Sequence, residues 1–133
     1  MNTPSIRIVA AVLHDHAGRV LTVRKAGASR FMLPGGKREP GEDDLVALAR
    51  ELREELGLEV LVGPFIGQFQ APAANEPGHQ VVGDIYMAAT SGTPVAAAEI
   101  AELLWIPPSA PYSAPLAPLL EFEVLPHLNR LNY

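Results

Sequence analysis

Gly36-Lys37-Arg38-Glu39-Pro40-Gly41-Glu42-Asp43-Asp44-Leu45-Val46-Ala47-Leu48-Ala49-Arg50-Glu51-Leu52-Arg53-Glu54-Glu55-Leu56-Gly57-Leu58 joins a glycine turn to an amphipathic helix, and its reading decides the fold. Residues 42–56 carry the helix pattern. Glu42, Asp43 and Asp44 stand in its first turn, where acids suit the positive end of the dipole, and Gly57 stops it. Leu45, Leu48, Ala49, Leu52 and Leu56 recur at helical spacing and form the expected buried stripe. At about 100° per residue, Glu51, Glu54 and Glu55 share one narrow face beside that stripe, with Arg53 turned to solvent. Carboxylates one turn apart repel, by a few tenths of a kcal/mol when exposed and by more when desolvated. Hard divalent cations relieve such repulsion, and all-oxygen ligation suits Mg²⁺ or Mn²⁺. Taken alone, the same helix is more simply a solvated face with an ordinary Arg50–Glu54 pair.

Outward from this segment the chain reads as alternating strands and turns. Ile6–Leu13 is β-branched and apolar, His14–Gly18 turns, and Val20–Val23 reads as a strand paired with the first. Phe31-Met32-Leu33 is a candidate short strand before Pro34-Gly35-Gly36, whose glycines permit unusual backbone angles and close approach by a ligand. Val60–Val62, Phe65–Phe69 and Val81–Ala88 read as further strands. A helical turn is expected at Ala96–Glu102, then a strand at Leu103–Ile106. After a proline-rich loop, a final helix is expected over Leu116–Leu125, with a further turn beyond Pro126. Phe31, Phe69 and Trp105 are assigned to core packing, and His14, His16, His79 and His127 to surface or loops. The sum is an α/β fold, read as one domain over residues 1–133.

Composition narrows the function classes. Of 133 residues, 48% are apolar and 19% charged, enough for a core and without a disorder signature. Ten basic against fifteen acidic residues leave a net charge of −5, and no basic stripe points to nucleic acid as a partner. Eight of the fifteen acids fall within residues 39–59. No apolar run approaches the roughly 18 residues that span a bilayer, and the first strand lacks the flanks of a signal peptide. No membrane partner and cytoplasmic residence are therefore expected. The absence of cysteine excludes disulfides, thiolate metal sites and a thiol nucleophile.

Gly36, Glu42, Arg50-Glu51-Leu52, Glu54-Glu55 and Gly57-Leu58 fill every fixed position of the pattern G-x5-E-x7-R-E-U-x-E-E-x-G-U, with U a bulky aliphatic residue. The chain thus resembles the Nudix hydrolases of the MutT-like type, specifically over residues 36–58. Leu33-Pro34-Gly35 and Glu39-Pro40-Gly41 also look like that family. The resemblance implies an α/β/α sandwich with a mixed sheet between helices. It also implies an enzyme that hydrolyses the pyrophosphate of a nucleoside diphosphate linked to another group. By similarity Glu51, Glu54 and Glu55, joined by the Gly35 carbonyl, hold Mg²⁺ or Mn²⁺. Glu51 is the first candidate to activate water, Arg50 holds the glutamates, and Gly36, Glu42 and Gly57 support the loop–helix geometry. Metal-assisted attack suits a strongly anionic diphosphate, which needs both charge neutralisation and a water made nucleophilic.

Arg24, Lys25, Lys37 and Arg38 are candidates to meet substrate phosphates. Glu99 and Glu102 lie where many members of that family supply one more carboxylate. The expected substrate is a nucleoside triphosphate; ADP-ribose or another nucleotide-sugar is the alternative within the same chemistry. A nucleotide-sensing module without catalysis is the alternative of another class. The partner is a small nucleotide, and the family's habits make a homodimer an expectation.

Overall fold

The computed structural model describes residues 3–131. Strand β1 (Ser5–Val12) lies at the centre, and its apolar run is explained by burial on both faces. Val9 and Ala11, with Leu13 just beyond, face a cluster built with Leu48, Leu52 and Leu56 of helix α1 (Asp44–Leu56). Ala10 and Val12 face the opposite cluster, which holds Leu120, Val124, Leu125 and Leu128 near the C-terminus. Period-two alternation thereby glues one layer of helix to each side of a sheet. The expected α/β/α sandwich is the observed architecture.

Strand β2 is Val20–Lys25, β3 is the short Gly35–Gly36 pair, β4 is Leu61–Pro72, β5 is Gln80–Ala89 and β6 is Ile100–Ile106. The main sheet is mixed, in the order β3-β1-β5-β4. β1 runs parallel to β5 in unbroken register from Ser5↔Gln80 to Val12↔Met87, and antiparallel to β3. β4 and β5 form an antiparallel pair with irregularities between Val62 and Gly67, which join the two strands expected there into one.

β2 does not extend this sheet as expected. It pairs with β6, from Val20↔Ile106 to Lys25↔Ile100. One edge of β1 is filled by β5, and the other by Gly35, Gly36 and the Pro34 carbonyl, which accepts from Ala11. Only Leu13 and His14 remain for β2, at the Leu21 N–H bond to Leu13 and a bridge from His14 to Val20. Phe31 and Met32 likewise form isolated bridges to Leu116 and Val23 rather than a strand.

Pairing with β2 also overrides the helical propensity of Ala96–Glu102: Ile100 to Glu102 belong to β6, and no helical turn forms there. At the C-terminus the expected helix starts later. A π-helical segment, Leu119–Val124, precedes helix α2 (Leu125–Arg130). Pro126 has no N–H to return to residue 122, and the turn before it widens so that Leu125 N–H bonds the Leu120 carbonyl. His127 is a half-buried helix residue rather than a surface or loop residue, and it lies edge-on to Phe69 at 5.2 Å.

Helix α1 begins at Asp44, with Asp43 as its cap: the Asp43 carboxylate accepts from Val46 N–H at 2.9 Å. Gly57 ends it in the left-handed region at φ 66. The buried stripe is shifted from the expected one. Ala47, Leu48, Leu52, Glu55 and Leu56 are buried, while Leu45 is 50% exposed. The helix rolls its acidic edge toward the protein because its first turn is pinned there: Asp44 accepts from Tyr86 Oη at 2.7 Å and pairs with Arg38. Leu52→Ala should therefore lower unfolding stability by about 2–5 kcal/mol, and Leu45→Ala by less than about 1 kcal/mol, when measured by urea titration.

Candidate functional site

Two adjacent glycines let the loop and helix meet. Gly35 has φ 154, and a Cβ there would overlap the Val9 carbonyl and Ala10. A Cβ on Gly36 would lie 2.5 Å from the Glu51 carboxyl carbon. Both positions exclude side chains, so the sheet edge comes into direct contact with the acidic face of α1. Glu55 closes the joint: its carboxylate is buried and accepts from Gly35 N–H at 3.2 Å.

Arg50 organises the remaining carboxylates. Its Nε and Nη2 donate to Glu42 at 2.7 and 2.9 Å, a two-point grip. Nη1 donates to Glu51 at 3.0 Å and to Glu54 at 3.3 Å, with Glu39 3.6 Å away, and Nη2 also reaches the Lys37 carbonyl at 3.0 Å. Glu42 in turn accepts from Glu39 N–H at 2.8 Å. The Arg50 guanidinium, with help from that backbone N–H, pulls the Glu42 carboxyl down to about 2.

Glu55 shows the opposite shift. Burial raises its carboxyl to about 7, against the Gly35 N–H, with Glu51 and Glu99 raising it further and Lys25 opposing. Among the described residues, no three acid or histidine side chains stand gathered as a ready-made metal cage. The donor set nevertheless fits a hard divalent cation: one carboxylate is buried, and two more on the same helix face are engaged by Arg50. A bound cation would favour the charged form of Glu55, offsetting the burial and the neighbouring Glu51 and Glu99 charges that hold its proton on.

A cavity of about 510 Å³ opens beside this cluster, reached by Gly36, Lys37, Glu51, Lys25 and Glu99. From there it runs along one face of β1, past Ala10 and Ile8 to Ile6. Glu99 is held there by backbone ties on both sides. Val95 and Ala97 N–H groups bond the Leu56 and Glu55 carbonyls, the Glu99 carbonyl accepts from Ala26, and Ala98 between them is left-handed at φ 53.

The NUDIX domain profile matches residues 4–128. The chain belongs to the Nudix family. It is 33% identical over 117 residues to the CTP pyrophosphohydrolase of Escherichia coli, covering 85% of this chain and 84% of that protein. The solution structure of the Escherichia coli ORF135 protein superposes with a TM-score of 0.77 at 31% identity, covering 98% of this chain and 92% of the other. A MutT NUDIX hydrolase from Burkholderia pseudomallei gives 0.71 at 26% identity, over 84% and 89%. With the family and these relatives, the chain is a Nudix pyrophosphohydrolase.

The Nudix segment and the cavity sort the residues singled out from sequence. Lys25, Lys37, Glu51 and Glu99 converge on the cavity. Arg24 and Glu102 do not: they are register partners on β2 and β6, paired at 3.1 Å, and Arg24 also donates to the Ala28 carbonyl. Strand alternation sends Arg24 and Lys25 to opposite faces, so only one of the two can reach the site. Arg38 is likewise engaged, by Asp44. The sequence reading missed the cavity's apolar floor and the β4–β5 hairpin at its far end, because both are defined by pairing between distant strands.

The shifts predict opposite pH responses in the metal-free protein. Glu55 binds its proton more tightly when folded, so its contribution is complete below about pH 4.5 and is lost as pH rises through about 7, a change on the order of 3 kcal/mol. Glu42 is depressed, so its contribution is present above about pH 4.5 and lost as pH falls toward 2. Glu55→Gln should therefore flatten the stability profile between pH 5 and 8, read by urea unfolding in chelator, while leaving the loss below pH 4.5 in place.

Proposed function

We propose that this Nudix protein hydrolyses the pyrophosphate linkage of a nucleoside diphosphate-X substrate, in first place a nucleoside triphosphate. The observation that carries this reading is one continuous cavity with carboxylates and lysines at one end and an aliphatic floor along β1. From Ala10 to Ile6 the strand advances about 13 Å, the scale of a nucleotide from its phosphates to its base. The relative named CTP pyrophosphohydrolase supports a triphosphate over a nucleotide-sugar. The complete set of Nudix carboxylates favours an enzyme over a sensing module.

Glu51, Glu54 and Glu55, with the Gly35 carbonyl, would hold Mg²⁺ or Mn²⁺. Such an ion neutralises phosphate charge and makes bound water more acidic. The chain's own residues do the rest. Lys25 and Lys37 draw the phosphates to the acidic end, which without cations repels them. Glu51 orients the attacking water, whose oxygen bonds to phosphorus as the bridging P–O bond breaks. Glu99 faces the same space and is the supplementary carboxylate, in place of Glu102. Arg50 is a positioning residue: it keeps Glu51 and Glu54 on one side of the helix.

Nucleoside monophosphate formation should be measured on a panel of nucleoside triphosphates, ADP-ribose and a UDP-sugar. Turnover should vanish in chelator and return with Mg²⁺ or Mn²⁺, and full turnover in metal-free buffer would overturn the reading. Glu54→Gln should lower kcat by about a hundredfold or more with an unchanged circular dichroism spectrum. A variant that unfolds would instead assign Glu54 to structure.

A further inference from the structure

The cavity's two ends differ in chemistry. Four of its charged linings, Lys25, Lys37, Glu51 and Glu99, belong to the end at Gly36. Ile6, Ile8, Val81 and Leu119 make the floor beyond, and no aromatic or histidine side chain lines it among the described residues. An aliphatic slot without a stacking partner accepts any base of suitable size and discriminates weakly between bases of similar shape. Selection must then come from polar groups at the rim. At the far end these are Asn75 and Glu76, on the loop between β4 and β5.

That loop is a built support. Glu76-Pro77-Gly78-His79 is a tight turn, with His79 N–H donating to the Glu76 carbonyl at 3.1 Å and Gly78 at φ 82. Proline followed by a left-handed glycine is the type II arrangement. Ala73 N–H bonds the His79 carbonyl at 3.0 Å, and Pro72 pairs with Gln80. The backbone that carries Glu76 is therefore fixed relative to β5, and so to Val81 on the cavity floor.

We propose that Glu76 is a specificity residue that selects nucleobases bearing an exocyclic amino group and disfavours uracil and thymine. This rests on the nucleotide reading above. A carboxylate only accepts hydrogen bonds, whereas the Asn75 amide both donates and accepts and so tolerates either kind of base edge. Cytosine and uracil have nearly the same shape but present an amino donor or a carbonyl acceptor at the same ring position. Opposite Glu76 the first is paired and the second sets two acceptors against each other. The negative charge also keeps the phosphate tail from entering this end, which fixes which way round a nucleotide lies.

The test compares kcat/KM for CTP and UTP in the wild-type protein with Mg²⁺, then in Glu76→Ala and Glu76→Gln. Wild type should prefer CTP by about tenfold or more. Glu76→Ala should bring the two within about threefold. Glu76→Gln should narrow the ratio by gaining on UTP, because its amide can turn a donor to the carbonyl. The Glu76 side chain is exposed, and equal melting temperatures would show the fold intact. Hydrolysis of both nucleotides with no preference in the wild type, or a preference that survives Glu76→Ala, overturns this assignment alone. Hydrolysis of neither triphosphate overturns the triphosphate reading beneath it, and the Glu76 assignment with it.

Discussion

One guanidinium makes the acidic cluster tolerable. Arg50 touches Glu42, Glu51 and Glu54 and lies near Glu39, so four carboxylates share a single delocalised cation. Its Nε–Nη2 edge is committed to Glu42, which precedes the helix cap, and its Nη1 is left for the two glutamates on the helix face. A lysine offers one point of charge and cannot serve both sides at once. The loop and the helix are in this way locked as one piece before any substrate arrives, and the glutamates are held near one another around a single positive charge.

That lock works only because the sheet edge carries no side chains where it meets the helix. The Gly35–Gly36 strand pairs with β1 through its backbone, β1 itself fills the space a Cβ on Gly35 would claim, Glu51 fills that of a Cβ on Gly36, and Glu55 accepts from Gly35 N–H. Packing on the helix's other edge sets the rotation. Leu48, Leu52 and Leu56 sink into the cluster beneath β1, and the acidic edge is carried round to the cavity mouth.

The helix, its stop at Gly57 and the acidic face were legible because each depends on local spacing. The stripe was misjudged at Leu45 and Ala47, since the tie from Asp44 to Tyr86, 42 residues away, sets the roll of the helix. Strand existence was largely readable, but the partner of β2 was not: that choice is made by competition for the edges of β1, which no window of sequence contains. Glu99 stands in the turn before β6 and Glu102 within the strand, so the two could be separated only once the start of that strand was known. The Glu-Pro-Gly-His turn at residue 76 falls between the strands read from sequence, and its place at the mouth of a cavity comes from the register of β4 with β5.

The backbone ties from Val95 and Ala97 to the last turn of α1 divide the β5–β6 connection into two parts with different tolerance. Residues 91–94 precede the first tie, and changes of length there leave the anchor untouched. From Val95 to Ile100 the chain is stitched to the helix end on one side and to Ala26 on the other, so a single inserted residue would slide Glu99 out of the cleft. Length polymorphism among descendants of this sequence should consequently stop at Val95.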